Sequence, residues 1–141
     1  MAGRLSTPLV AIFNSRDDVI DAIRSALENE GFATVTARLA EIQSGMLDLI
    51  AFVEVHRPDV IVYDLPRPYE SDWNFLRLLR ETSSLKDRLW VVTTTDKKAL
   101  LAAVGAESVI EIIVGQPYGA ADVVSAVHSA LESRVSTRDV R

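Results

Sequence analysis

The chain has 141 residues, enough for one domain with a proper core, and carries a net charge of −5, with 48% hydrophobic and 25% charged residues. That balance, with no dense Lys/Arg run and no apolar run of membrane-spanning length, argues against nucleic acid and against a membrane as partners. Cysteine is absent, which excludes disulfides, thiol catalysis and Cys-ligated metal centres.

Residues 1–7 read as an N-terminal extension, 8–132 as the domain and 133–141 as a polar tail. The first residues, Met1 to Ser6, contain no signal-peptide h-region, and a cytoplasmic setting is expected. Leu9-Val10-Ala11-Ile12-Phe13 is a continuous apolar run, the first buried strand. Asn14-Ser15-Arg16 breaks it. Ser15 is expected to cap a helix with Asp17 and Asp18 in its first turn, where acidic groups suit the positive end of the helix dipole. Val19, Ile20, Ile23 and Leu27 then recur at helical spacing, and Gly31 ends the helix. Ala33 to Ala37 is a short β-rich stretch, a second strand near a sheet edge. Leu39 to Gly45 fits either a loop or an extra helical turn. Met46 to Val55 predicts a second helix, apolar on more than one face, stopped by Arg57-Pro58-Asp59.

Val60 to Tyr63 reads as a third strand, buried on both faces, that stops at Asp64; Pro66 and Pro68 turn the chain at once. Locally, Asp64 either closes a strand or stands where open α/β sheets place their chemistry, at the carboxyl end of a strand. Ser71 or Asp72 is expected to cap a helix running through Phe75, Leu76, Leu78 and Leu79 to about Thr82. Leu89 to Thr93 is the fourth strand. Asp96 caps a helix with Leu100, Leu101 and Val104, closed near Gly105. Val109 to Val114 holds the fifth strand, Gly115 to Tyr118 is a turn, and Ala121 to Glu132 is a last amphipathic helix. Arg134, Arg138 and Arg141 are spaced along the tail beside Asp139, which reads as a frayed polar terminus.

Strand and helix alternate five times. Parallel strands need crossover connections, so the pattern predicts an α/β fold of the flavodoxin-like type: a doubly wound five-stranded parallel sheet of order 2-1-3-4-5. The switch point then lies between strands one and three. Residues past the carboxyl ends of strands one, three, four and five converge there: Asn14 and Ser15, Asp64, Thr93, and Gln116.

On those residues the chain resembles the receiver domain of bacterial response regulators, over about residues 8 to 132. The matching features are Val60-Ile61-Val62-Tyr63-Asp64-Leu65 with Pro68 following, Val91-Val92-Thr93, and Gln116-Pro117-Tyr118. The resemblance implies that Asp64 stands at the phosphoacceptor position. It also implies that Thr93, or its neighbour Thr94, is the hydroxyl residue that contacts the phosphoryl group. Four positions depart from the family. Asn14 and Ser15 replace its acidic, Mg²⁺-holding pair, Gln116 replaces its lysine, and Ile113 replaces its aromatic switch residue. Asp17 and Asp18 fall in a first helical turn and are expected to point elsewhere.

Phosphoryl transfer depends on positioning and charge neutralisation, and Mg²⁺ is held by one or two carboxylates plus phosphate oxygens. With Asp64 the one carboxylate placed at this mouth, metal affinity is expected to fall sharply. Mg²⁺ is therefore a weak candidate cofactor and Asp64 its weak ligand. Arg16 and Arg67, on the adjacent turns, are the candidates for charge compensation by a guanidinium fork.

The expected function is a stand-alone, atypical receiver module that is not an enzyme and acts on a signalling partner, a histidine kinase or a downstream effector. A homodimer through the helix of Asp96 to Gly105, the fifth strand and the last helix is a further expectation. So is the lack of an output domain after that helix. Two alternatives stand beside it: a phosphorylation-competent receiver, and a flavodoxin-like domain that binds a small molecule. No glycine-rich phosphate cradle supports the last. His56 and His128 lie far apart and read as surface histidines, Ser71-Asp72 as a cap, Thr93-Thr94-Thr95 as a strand end, and Trp73 and Trp90 as core or core-margin residues.

Overall fold

The computed structural model describes residues 7–45, 48–65, 69–82, 88–94, 111–114 and 120–139. Five parallel strands form one sheet: β1 (Leu9–Asn14), β2 (Ala33–Arg38), β3 (Val60–Asp64), β4 (Leu89–Thr94) and β5 (Glu111–Val114). Their order is β2-β1-β3-β4-β5, the order expected from the alternation. The described helices are α1 (Asp17–Asn29), α2 (Leu39–Gln43), α3 (Leu49–His56), α4 (Tyr69–Glu81) and α5 (Ala120–Asp139). The helix expected over Asp96 to Gly105 lies outside the described residues.

Strands buried on both faces send alternate side chains to opposite layers. Val10, Ile12, Val60, Val62 and Val91 join Ile20, Ile23 and Leu27 of α1 and Val123 and Val127 of α5. Ala11, Phe13, Ile61, Tyr63, Trp90 and Val92 join Leu39, Leu49, Val53, Trp73 and Leu76 on the other side. Each large apolar side chain so buried contributes about 1.5–3 kcal/mol. β2 is an edge strand, and its mostly exposed or half-buried pattern reflects that position. Both tryptophans are core residues, 4% and 5% exposed.

Several helix ends differ from the sequence reading. Ser15 does not cap α1. Arg16 holds the cap position with extended backbone, and the Asn14 amide oxygen accepts the Arg16 N–H at 3.1 Å, so an Asx turn sets the entry. At its far end, Gly31 at φ +94° lets its own N–H reach the Glu28 carbonyl and the Phe32 N–H reach that of Leu27, which satisfies two terminal acceptors. The Leu39 to Gly45 segment contains a short helix, α2. α3 begins at Leu49 because the Asp48 carboxylate accepts the N–H groups of Ile50 and Ala51. α4 begins at Tyr69, which puts Ser71 and Asp72 inside its first turn instead of at its cap. α5 runs on to Asp139, through what the sequence suggested was a frayed tail; residues 133–139 contain no glycine or proline to stop it.

Candidate functional site

The strand register builds the site. Asn14 pairs with Arg38 across β1 and β2, Phe13 with Tyr63 across β1 and β3, and Asp64 with Thr93 across β3 and β4. Carried one residue further, the second pairing sets Asn14 beside Asp64. Arg38, Asn14, Asp64 and Thr93 therefore form one row along the carboxyl edge of the sheet. Side-chain alternation turns all four toward the layer that holds α1 and α5. The reason is local: each apolar run ends in a polar residue at the same height.

Thr93 donates its hydroxyl to Asp64 Oδ1 at 2.7 Å, and the Leu65 N–H donates to the Thr93 carbonyl at 2.9 Å. Asn14 is 3% exposed, and Thr93 and Thr94 are fully buried. Burial pushes the Asp64 carboxyl above its ordinary value, and the Thr93 hydroxyl partly offsets that by stabilising the anion. Asp64, Asn14 and Thr93 are thus brought together, as the topology implied. Thr94 is the next residue on β4 and belongs to the opposite face by alternation. Ser15 is exposed beside the row.

The candidate cations are placed differently. Arg16 grips Asp18 through two hydrogen bonds of 3.2 and 2.8 Å, which hold the Asp18 carboxyl below its ordinary value. Arg67 and Gln116, with Pro117 and Tyr118, lie outside the described residues, and so does the Asp96 to Gly105 part of the expected dimer face. The sequence reading missed Arg38. Its guanidinium takes both oxygens of Asp17 at 2.9 Å each, tying the end of β2 to the start of α1. Only the register, one residue past the β-rich stretch, would have pointed to it.

Asp17, Asp21, Arg38 and Glu41 also line a surface groove of about 400 Å³ between α1, β2 and α2. His56 stacks against Phe52, its ring centre 4.4 Å away, while His128 faces Glu30 at 3.7 Å; the two stand on different helices and share no site.

Mg²⁺ does not fit this donor set. Among the described residues the row offers one carboxylate, an amide and a hydroxyl, and Asp17 and Asp18, at the start of α1, are each held by an arginine. No group of three potential metal ligands converges among the described residues.

No protein-family model matches the chain, and no curated protein matches it. Solved structures do. Chemotaxis protein CheY4 of Vibrio cholerae matches at TM-score 0.65 with 21% identity, over 89% of this chain and 99% of its own. A response regulator from Thermotoga maritima matches at TM-score 0.64 with 23% identity, over 90% and 99%. The signal receiver domain of a signal transduction histidine kinase from Syntrophus aciditrophicus matches at TM-score 0.68 with 18% identity, over 90% and 92%.

The chain has the receiver fold.

At such identities the likeness is one of fold; the strand order and register of this chain set Asp64 at the carboxyl edge of its sheet. Among the described residues no helix is long and apolar enough to cross a membrane.

Two consequences of this geometry can be measured. Thr93→Val keeps the shape and removes the hydroxyl, leaving the partly buried Asp64 carboxylate without that donor. The expected cost is about 1–3 kcal/mol in urea unfolding at neutral pH. An unchanged midpoint would mean that the Thr93 hydroxyl does not support Asp64.

The second concerns pH. The unfolded chain gives up the Asp64 proton near 3.8, and the folded chain holds it to higher pH. The contribution of Asp64 to stability is therefore full below that value and lost as pH rises through the raised folded value. Asp64→Asn, which can still accept from Thr93, is expected to melt above the parent chain at neutral pH. The gap should close as pH falls toward 4. A gap that widens on acidification would contradict the burial of Asp64.

Proposed function

We propose that this chain is an atypical receiver module of two-component-type signalling. It acts by binding a partner protein, a histidine kinase or a downstream effector, with weak or no Mg²⁺-dependent phosphorylation at Asp64. The observation that carries the reading is the row itself. Asp64 stands opposite Thr93 and accepts its hydroxyl at 2.7 Å, and a buried neutral amide, Asn14, ends the neighbouring strand; this supports reading Asp64 and Thr93 as the phosphoacceptor and hydroxyl positions, with Asn14 offering Mg²⁺ no carboxylate charge. In this reading the scaffold is kept for its surfaces. A homodimer through α5 and β5 belongs to the same reading.

A second reading, a phosphorylation-competent receiver, is favoured by the 2.7 Å bond from Thr93 to Asp64 alone. A chromosomal exchange separates the two. Cells carrying Asp64→Asn should match the parent in expression profile and differ from a deletion strain. A profile that matches the deletion would sink the partner-only reading and favour the second.

A further inference from the structure

β2 pairs with β1 on one side, and among the described residues no strand pairs with its other side. The Ala33 N–H donates to the Pro8 carbonyl at 3.0 Å, and the bonds of a parallel ladder recur at every second residue. Ala33, Val35 and Ala37 therefore turn their backbone groups toward β1. Thr34 and Thr36 turn theirs off the edge of the sheet, and Arg38 does the same with its N–H. An open row of this kind is a template for a further strand. β2 contains no proline, its register with β1 is continuous, and a single charge, Arg38, stands at its end.

The same alternation decides what fits. In an antiparallel pair, residues that exchange both backbone bonds stand directly opposite each other, with Cα atoms about 5.5 Å apart. A second copy of β2, run antiparallel about a two-fold axis at Thr36, sets Thr36 against Thr36, Thr34 against Arg38, and the half-buried Val35 against Ala37. Thr34 and Arg38 carry their side chains on the α1 side, where the Thr34 hydroxyl donates to Glu28 Oε2 at 2.7 Å. Arg38 of one copy thus arrives beside Glu28 of the other. Arg38 uses Nε and Nη2 to hold Asp17, each at 2.9 Å, which leaves the Nη1 donors over. Glu28 holds the Thr34 hydroxyl through one oxygen, which leaves the other. Neither side chain gives up its present partner. Centring the pair on Val35 or on Ala37 instead would set Arg38 opposite Phe32 or Thr36 and take it away from Glu28.

We propose that the outer edge of β2 binds a second copy of this chain, antiparallel about Thr36, with Arg38 of each copy bridging its own Asp17 and the Glu28 of the other. The sheet then continues through both copies. This contact lies at the opposite edge of the sheet from β5, so it is separate from a homodimer through α5 and β5 and does not depend on the functional reading above. β2 has six residues and each copy carries a net charge of −5. The interface therefore falls at the small end of specific contacts, and the dimer is transient, with a Kd of about 10–100 µM.

The test is sedimentation velocity of the full chain over a concentration series that spans that range, with amide hydrogen exchange followed by NMR on the same samples. Self-association should appear, and the Thr36 and Arg38 N–H groups should gain protection as concentration rises. Those of Val35 and Ala37, already bonded to β1, should not change. Glu28→Arg and Arg38→Glu should each weaken self-association about tenfold. An equimolar mixture of the two should associate as the parent does, because both pairs across the axis form again with their signs exchanged. Melting curves check that each variant is folded; if Arg38→Glu melts early beside Asp17, Arg38→Gln takes its place, with a severalfold weakening expected.

A chain that stays monomeric throughout would make Arg38 a guard of an unused edge and overturn the proposal. So would self-association that the charge variants leave unchanged, or that protects amides of α5 and β5 while Thr36 exchanges freely. Protection of Thr36 that appears only when a different protein is added would assign the edge to a foreign strand, and that too removes the second copy.

Discussion

Asn14→Asp is expected to lose about 2–4 kcal/mol of stability in metal-free buffer and to recover most of it in Mg²⁺. Asn14 is 3% exposed and, by the register carried one residue on, stands beside the partly buried Asp64, so the substitution sets two carboxylates side by side with little water around the new one. Like charges so placed cannot both ionise cheaply, and one is forced to hold a proton. In the parent chain the same position costs nothing of the kind, because an amide is neutral and its oxygen is used by the Arg16 N–H. Asn14→Asp also supplies a second carboxylate, which strengthens the site for Mg²⁺. A ligand present at about 100 times its Kd stabilises by about 2.7 kcal/mol, so Mg²⁺ should lift the melting temperature of Asn14→Asp and leave that of the parent nearly unchanged. If the parent responds to Mg²⁺ as strongly, the donor set has been misjudged.

The second large effect is chemical. Asn14→Asp combined with Ser15→Asp is expected to make Asp64 accept a phosphoryl group from acetyl phosphate in Mg²⁺ at least about 100-fold faster than in the parent chain. Positioning is already present: the sheet sets Asp64 at the mouth and Thr93 within 2.7 Å of it. On the proposed reading the parent lacks charge neutralisation, which a metal held by carboxylates would supply. The measurement is the initial rate of adduct formation by mass spectrometry. Equal rates in the two chains would place the limitation elsewhere, for instance at Gln116, which lies outside the described residues.

Much of the fold was legible because strands buried on both faces announce themselves as unbroken apolar runs. Val10 to Phe13, Val60 to Tyr63 and Leu89 to Val92 needed no tertiary information, and five alternations left few parallel topologies to consider. Helix ends were less legible. Ser15 is a good capping residue by type, yet Asn14, one position earlier, formed the turn first, and nothing in the local sequence decides between two adjacent Asx- or Ser-type turns. α5 was read too short because a polar stretch resembles a frayed end until one notices that it contains no breaker.

For the site, Asp64 and Thr93 were legible from strand ends and topology together, and their 2.7 Å contact follows from register. Arg38 was not. It ends an edge strand whose weak apolar character hides where the strand stops, and its place in the row exists only once β2 is paired with β1. The engagement of Arg16 with Asp18 was equally invisible, since a turn arginine can face either the mouth or its own helix.

The most direct test is to incubate the parent chain with acetyl phosphate and Mg²⁺ and to weigh it intact beside Asp64→Ala. The account predicts little or no phosphoryl adduct and no Mg²⁺-dependent quenching of tryptophan fluorescence. A stoichiometric adduct that disappears in Asp64→Ala would contradict it.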